Sequence, residues 1–468
     1  MKIKSFLSAI SYLCVIVSGF LVQAQGAKPL NVVLIVADDL GAHDLKTHGS
    51  DLHETPHLDG FAASGIEFTS AYAAAPICTP TRASIMTGKN PARLRMTIWS
   101  EHALRGPKLD KPMIPADSEG NLPLEEITLA ERFKEAGYHT FHIGKWHLGE
   151  ATFYPEVHGF DVNIGGSYIG APGSYYHPYY RKPGGASGPV ENLPPGGPQG
   201  RYLTDRLTDE AVRLIGEGSD RPFFLYLSYY SVHTPIQPRP DLRDRYANQL
   251  KPGKLHKNAD YAAMVAAVDE SVGRVMRRLE ETGRAGDTII VFTSDNGGMH
   301  KVTANAPLRG GKGMAWEGGT RVPLIIKSPG MTSAGRTSRE PVISPDFYPT
   351  LLELTQTPGD ATHNRNVDGV SLTPLLRDPS AELKRDAIYW HYPHYNVLLG
   401  VPHTSLRSGR YKLIEFFEGS RVELYDLRAD IGEQKNLAGS LPDKTASLLK
   451  RLHAWRTEIG AQMPVPIN

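Results

Sequence analysis

Two adjacent carboxylates, Asp38 and Asp39, follow directly on an apolar run at 31–37. Three further apolar runs end in a similar chemical vocabulary. Residues 138–143 lead through Gly144 to Lys145 and His147, 223–229 lead to His233 within Val232-His233-Thr234-Pro235, and 288–293 lead to Ser294-Asp295-Asn296-Gly297-Gly298. Each feature alone has an ordinary structural explanation: an acidic pair caps a helix, a lone histidine is usually structural, and Ser-Asp-Asn-Gly-Gly makes a turn. Repetition at the ends of successive strands outweighs those explanations, because ligands of open α/β sheets bind beyond the carboxyl ends of the strands. Asp38, Asp39, Asp295 and Asn296 form an all-oxygen donor set suited to a hard divalent cation. Calcium is favoured over zinc, since that set needs neither thiolate nor imidazole, and magnesium is the alternative.

The 468 residues include only two cysteines, Cys14 and Cys78. Residues 1–24 read as a secretion signal: Lys2 and Lys4 precede an apolar stretch at 6–22, and Gln23 and Ala24 offer a cleavage site. Its removal leaves Cys78 alone in a periplasmic or secreted protein with no stable membrane insertion, so no internal disulfide accounts for this residue. Cys78 opens the run Cys78-Thr79-Pro80-Thr81-Arg82, in which Pro80 suits a first helical turn and Gly88 a helix end. A helix N-terminus at Cys78 favours a bound anion. It also lowers a thiol pKa, so an ordinary thiolate nucleophile is a second reading.

The elements that must position these groups follow from the same pattern. Runs at 31–37, 138–143, 223–229, 288–293 and 322–327 are apolar on both faces, as buried parallel strands are. Between them, 128–136 carries a capping box of Thr128 and Glu131, 259–281 is a long amphipathic helix, and 346–355 is a further helix. This alternation predicts an α/β fold, a large mainly parallel sheet sandwiched by helices, over 25–380. Over 381–468 the strands at 387–391, 405–408 and 411–416 and a helix at 447–459 predict a smaller antiparallel sheet plus helix. Residues 165–200, rich in Gly, Pro and Tyr, read as a long surface insertion. The 51 basic and 50 acidic side chains give a net charge of +1, which provides no electropositive field for nucleic acid.

With these residues in place, the sequence resembles the formylglycine-dependent sulfatases of the alkaline phosphatase superfamily. Cys78, Pro80 and Arg82 meet the core Cys-x-Pro-x-Arg pattern. The blocks at 31–41, 144–149, 232–235, 294–298 and 308–323 stand in the family order. The resemblance implies an alkaline-phosphatase-like fold and a Cys78 oxidised to formylglycine by a separate maturation enzyme. It implies a hydrated aldehyde that attacks sulfur beside a cation on Asp38, Asp39, Asp295, Asn296 and residue 78 itself. Arg82 would steady the formylglycine, Lys145 and Lys312 would hold sulfate oxygens, His233 would protonate the leaving oxygen, and His147 would take the proton that expels sulfate. Without the other blocks Lys312, flanked by glycines, reads as a solvated loop charge.

Phosphate mono- or diester and phosphonate hydrolysis is the near rival, since phosphate is a tetrahedral anion of similar size. A carbohydrate-binding module or adhesin that keeps a sulfatase-like shell is the distant one, disfavoured by the complete catalytic set. For the substrate, the aromatic insertion with Tyr175, Tyr176, His177 and Tyr180 could stack on sugar rings. Arg309, His391, His394 and Arg407 are the other candidate substrate contacts. The aromatic and histidine-rich run 390–395 is similar to those of bacterial polysaccharide sulfatases, which implies a sulfated glycan of galactose or N-acetylgalactosamine type.

Overall fold

Strand β1, Asn31–Ala37, is buried along its whole length, so both of its faces need cover. In the computed structural model, which describes residues 28–106, 111–180, 190–332 and 334–467, helices supply that cover from both sides. The expected secretion signal at 1–24 lies outside the described residues. Val33, Ile35 and Ala37 point into one apolar cluster, and Val32, Leu34 and Val36 into another. Period-2 alternation in a wholly apolar strand thus builds two cores, one on each side of the sheet.

The remaining strands of the large sheet are β2 (Ile66–Phe68), β3 (His139–Gly144), β4 (Val162–Ile164), β5 (Phe223–Ser228), β6 (Thr288–Ser294), β7 (Leu324–Lys327) and β8 (Arg336–Ser338). Their order is β8-β2-β7-β6-β1-β5-β3-β4. On one face lie helices Leu203–Gly216 and Ala259–Glu281; on the other lie Cys78–Thr87, Leu129–Glu135 and Phe347–Thr355. The capping box of Thr128 and Glu131 is present at the start of Leu129–Glu135. Strand β7 departs from the sequence expectation, because it pairs antiparallel with both β6 and β2. The chain between β6 and β7 holds only the four-residue helix Glu317–Thr320 and makes no helical crossover, so the strand returns reversed.

The smaller sheet is antiparallel, with β9 (Ile388–Tyr392), β10 (His403–Ser408), β11 (Tyr411–Phe416) and β12 (Arg421–Asp426) in sequence order. Strand β12 was not expected from Arg421-Val422-Glu423-Leu424-Tyr425-Asp426, whose charged ends mask the alternation. Helix Pro442–Glu458, which starts before the expected residue 447, lays Leu448, Leu452 and Trp455 on Leu406, Leu413 and Leu424. A buried ionic joint ties this sheet to the large one: Lys412 Nζ donates to Glu317 Oε1 at 2.9 Å and lies 3.2 Å from Glu433 Oε1. Among the described residues no helix is long and apolar enough to cross a membrane.

One glycine sets the exit of β3 toward the site. Gly144 has φ 101°, and a Cβ there would meet the Ser228 carbonyl oxygen at 1.9 Å. The close approach lets Lys145 N–H donate to that same oxygen at 2.7 Å. Gly144→Ala is expected to cost at least about 2 kcal/mol, since it adds a positive-φ penalty to a backbone clash. A urea unfolding midpoint equal to that of the parent protein would contradict this account.

Candidate active site

All the polar strand ends meet at one edge of the sheet. Asp38 and Asp39 leave β1, Lys145 and His147 leave β3, His233 follows β5, and Asp295 and Asn296 leave β6. Cys78 is the first residue of helix Cys78–Thr87, whose sharp end at Gly88 adopts φ 72°. Together with Lys312 from the β6–β7 loop, Asp39, Cys78, His147 and His233 line a cleft of about 310 Å³. Two non-glycine residues here, Asp39 and His147, hold left-handed backbone with φ 64° and 58°. Such conformations cost energy and concentrate at functional sites.

Opposite charges are paired throughout. Lys145 Nζ donates to Asp38 Oδ2 at 2.6 Å, and Lys312 Nζ to Asp39 Oδ2 at 2.8 Å. Arg82 Nε donates to Asp295 Oδ2 at 2.9 Å, while its Nη1 donates to Lys145 O at 3.1 Å and to Ser228 Oγ. Three carboxylates therefore stand against three cationic side chains, and the set is neutral. Burial would push the Asp295 carboxyl up, but Arg82, Lys145 and Lys312 hold it well below the usual range. Burial together with the neighbouring Asp295 pushes Asp38 up to about 7, despite Lys145. A carboxylate so destabilised marks a place where further positive charge is welcome.

A divalent cation fits part of the expected set, Asp38 and Asp39, together with residue 78 and His233, while Asp295 is engaged by Arg82 and by the Asp39 N–H. Donor atoms of Asp38, Asp39, Cys78 and His233 lie within 4.8 Å of one another. Asn296 Nδ2 donates to Asp39 Oδ1 at 2.8 Å, and the buried Asn296 Oδ1 has no hydrogen-bond partner; a flip of the amide would bring that oxygen beside Asp39, where it could share a cation. An acceptor left unsatisfied in the interior is costly and is expected to meet a donor or an ion. Adding a dication to a neutral cluster leaves a net positive site suited to an anionic substrate.

Cys78 Sγ lies 3.6 Å from Asp38 Oδ1 and is buried. Burial pushes its thiol up, and Lys145 and Lys312 do not reverse the effect. The helix N-terminus alone suggests a lowered pKa; at this site burial outweighs it.

The two histidines differ in their surroundings. His233 Nδ1 lies 2.8 Å from the Thr234 carbonyl, to which it donates, and Nε2 faces Asp39 Oδ2 at 3.6 Å. Burial, reinforced by Lys312, pushes His233 down to about 3. Tyr175 fixes this loop by donating its hydroxyl to the carbonyls of Tyr230 and His233 at 2.6 and 2.9 Å. The aromatic insertion thus contributes a packing anchor, and Tyr176 does the same on Pro238 O at 2.6 Å.

His147 Nε2 lies 2.6 Å from Glu101 Oε2, while its buried Nδ1 has no hydrogen-bond partner. Glu101 Oε1 accepts the Gly170 N–H at 3.1 Å. The pairing places the proton on Nε2 and leaves Nδ1 as a free base in the cleft wall. Glu101 was missed in the sequence; it sits in the short helix Ser100–Arg105, and nothing in Trp99-Ser100-Glu101-His102 marks it as a partner of a residue 46 positions away.

The five expected substrate contacts do not line the cleft. His391 is buried between Thr404 Oγ1 at 2.5 Å and the Gln462 carbonyl at 2.7 Å, and His394 Nε2 is occupied by Thr97 Oγ1 at 2.7 Å. Arg309 stacks 4.0 Å from the Trp316 ring centre and donates to Tyr425 Oη, and Arg407 donates to Tyr72 Oη; both serve the joint between the sheets. His177 packs edge-on against Tyr179 at 5.4 Å. The walls come instead from Trp99, Glu101, Arg105, Gly170, Ala171 and Val397.

This fold and this charged, anion-accepting cleft are those of hydrolases acting on tetrahedral anionic esters, and comparison makes the family specific. The Sulfatase family model matches residues 30–357, and a second, "N-sulphoglucosamine sulphohydrolase, C-terminal", matches 311–459. A sulfatase of Formosa agariphila is 31% identical over 97% of this chain and 94% of its own length. Human arylsulfatase A is 31% identical over 91% of this chain and 87% of its own length. The crystal structure of Ps i-CgsB in complex with k-i-k-neocarrahexaose superposes with a TM-score of 0.75 at 29% identity, covering 91% of this chain and 92% of that one. The chain belongs to the sulfatase family, and it is a sulfuric ester hydrolase with the alkaline-phosphatase-like architecture.

Glu101→Gln is expected to lower sulfatase kcat by about 100-fold through loss of an oriented base, with little change in KM or in melting temperature. Unchanged turnover would remove Glu101 from the active site.

Proposed function

We propose that this sulfatase acts on a sulfated carbohydrate, with formylglycine made from Cys78 as its nucleophile and with calcium, or magnesium as the alternative, at Asp38, Asp39, Asp295 and Asn296. The observation that carries the reading is the seat of Cys78: buried, beside Asp38, and lining a cleft shared with Lys312, His147 and His233. Burial pushes an unmodified thiol there up, whereas an aldehyde has no proton to lose.

A hydrated formylglycine at residue 78 would offer one hydroxyl to attack sulfur as the alcohol leaves, and a second whose loss of a proton re-forms C=O and breaks the C–O bond to sulfate. A divalent cation held by Asp38 and Asp39 would supply Lewis-acid chemistry beside residue 78. The side chains of the chain do the rest. Lys145 and Lys312 are held in the charged form by Asp38 and Asp39 against their burial; Lys312 lines the cleft and can meet a sulfate oxygen directly, while Lys145, buried behind Asp38, contributes its charge and reaches sulfate only by leaving that carboxylate. Arg82, tied to Asp295 and to the Lys145 carbonyl, fixes the side of the site beneath residue 78. His147 Nδ1 accepts the proton that releases sulfate.

His233 is the acid for the leaving oxygen. Its Nδ1 proton is engaged with Thr234, so a proton on Nε2 requires the imidazolium. An entering sulfate anion favours that form by placing negative charge beside the ring.

A glycan substrate is supported by the oligosaccharide in the Ps i-CgsB complex and by Trp99 and Arg105 in the cleft wall, an aromatic face and a cation suited to an anionic sugar chain. The reading includes export by residues 1–24 to the periplasm or beyond and maturation by a separate formylglycine-generating enzyme.

Activity on sulfated monosaccharides of defined linkage, run beside an aryl sulfate and an aryl phosphate, tests the reading. Hydrolysis of at least one sugar sulfate is expected; higher kcat/KM on the phosphate, or activity confined to aryl sulfates, would overturn it. His233→Ala is expected to lower kcat/KM on the sugar sulfate by about 10²-fold or more, and far less on an activated aryl sulfate that needs little protonation. Equal losses on both substrates would remove the general-acid role.

A further inference from the structure

A second group of metal-binding side chains lies apart from the cleft. Asp44, His53 and His256 are 0%, 1% and 3% exposed, and one donor atom of each lies within 4.8 Å of those of the other two. Asp44 Oδ1 stands 3.4 Å from His256 Nε2 and 3.6 Å from His53 Nδ1. The two rings are 4.5 Å apart and tilted by 57°.

His256 carries the argument. Its Nδ1 lies 2.7 Å from Asp51 Oδ1, and Asp51 is itself held by the backbone N–H groups of Leu255 and His256 at 2.6 and 3.1 Å. A carboxylate acceptor there places the proton on Nδ1 and leaves Nε2 as a lone pair. That buried nitrogen has no hydrogen-bond partner, and it faces a carboxylate oxygen, which is also a lone-pair donor. With a neutral ring, two electron-pair donors would face each other in the interior, so the pair takes up either a proton or a metal ion between them. The separations of 3.4 and 3.6 Å are long for hydrogen bonds and close to the edge of a tetrahedron with zinc–nitrogen and zinc–oxygen arms of about 2.0–2.1 Å, roughly 3.3 Å. A carboxylate behind a histidine is the usual second layer of such a site.

We propose that Asp44, His53 and His256 bind a zinc ion, with Asp51 orienting His256. Two imidazoles and one carboxylate suit zinc, in contrast to the all-oxygen set beyond β1 and β6. His53 Nδ1 donates to the Asp44 carbonyl at 2.9 Å, so it must give up that proton to ligate, as metal binding to a histidine requires. Asp44 also receives Gly41 N–H at 2.7 Å, Tyr261 Oη–H at 2.6 Å and Thr303 Oγ1–H at 2.6 Å, so the ion would clamp the turn after Asp39 to the start of helix Ala259–Glu281. The metal-free competitor has a proton in place of zinc, with an imidazolium at His256 between Asp44 and Asp51 and a His53 Nδ1–H donated to the Asp44 carbonyl.

Metal content separates the two, independently of sulfatase activity. The mature chain with Cys78→Ala, which removes the cleft thiol, is stripped with a chelator, saturated with calcium and titrated with Zn²⁺ and with Co²⁺. One equivalent of zinc per chain is expected, with a zinc-dependent rise in melting temperature and a Co²⁺ absorption spectrum of low coordination number. The double variant His53→Gln and His256→Gln is expected to lose all three signals and to keep calcium. Asp51→Asn, which leaves the ligands in place, is expected to weaken zinc about 10- to 100-fold. The absence of zinc uptake, or uptake unaffected by Asp51→Asn and by the double variant, would overturn the site. Should the double variant not fold, Asp51→Asn and the parent's Co²⁺ spectrum decide the question alone.

Discussion

Asp38, Asp39 and Asp295 are almost fully buried, and each is within hydrogen-bond reach of its own cation, Lys145, Lys312 or Arg82. Burying six charges is expensive, and such pairs rarely stabilise a fold beyond what apolar packing would achieve. Their value is electrostatic. The cluster is neutral by itself, so a dication leaves it positive and ready for an anion, while removal of any one partner leaves a bare charge in the interior. Asp38, pushed up to about 7 by burial and Asp295, is the member least content without that dication.

The fold exists to hold this cluster at one sheet edge. Parallel strands deliver their following residues to the same side, which is why four separate segments can contribute to a cleft of about 310 Å³. The smaller sheet takes part as well. Asn396 Nδ2 donates to Gly313 O at 2.8 Å, and Gly313 N–H donates to Pro76 O at 2.7 Å. The Lys312 loop is thereby pinned between the residues just before Cys78 and a loop of the antiparallel sheet. Buried ion pairs from Lys412 to Glu317 and Glu433 lock the same joint.

What the sequence disclosed and what it hid divide along physical lines. Strand ends were legible because a largely apolar run followed by Asp38-Asp39, Lys145, His233 or Asp295-Asn296 is a local pattern. Helix boundaries were legible where capping chemistry is local, as at Thr128 and Glu131. Glu101 was hidden because its meeting with His147 is created only by tertiary packing. Strand β7 read as parallel because composition reports burial and not direction. His391 and His394 read as substrate ligands because aromatic and histidine-rich runs suit glycan grooves. In the fold that run is buried strand β9 and the turn after it, and the loop that reaches the cleft begins just beyond it, with Val397 and Leu398.

The proposed chemistry requires residue 78 to be an aldehyde; burial pushes the Cys78 thiol up, and Lys145 and Lys312 only partly offset it. Mass spectrometry of the tryptic peptide spanning Cys78, on protein made with and without a formylglycine-generating enzyme and assayed in parallel, tests this most directly. Sulfatase activity should rise in proportion to the fraction of formylglycine and vanish when only cysteine is present. Full turnover by a preparation whose residue 78 is entirely unmodified cysteine would contradict it.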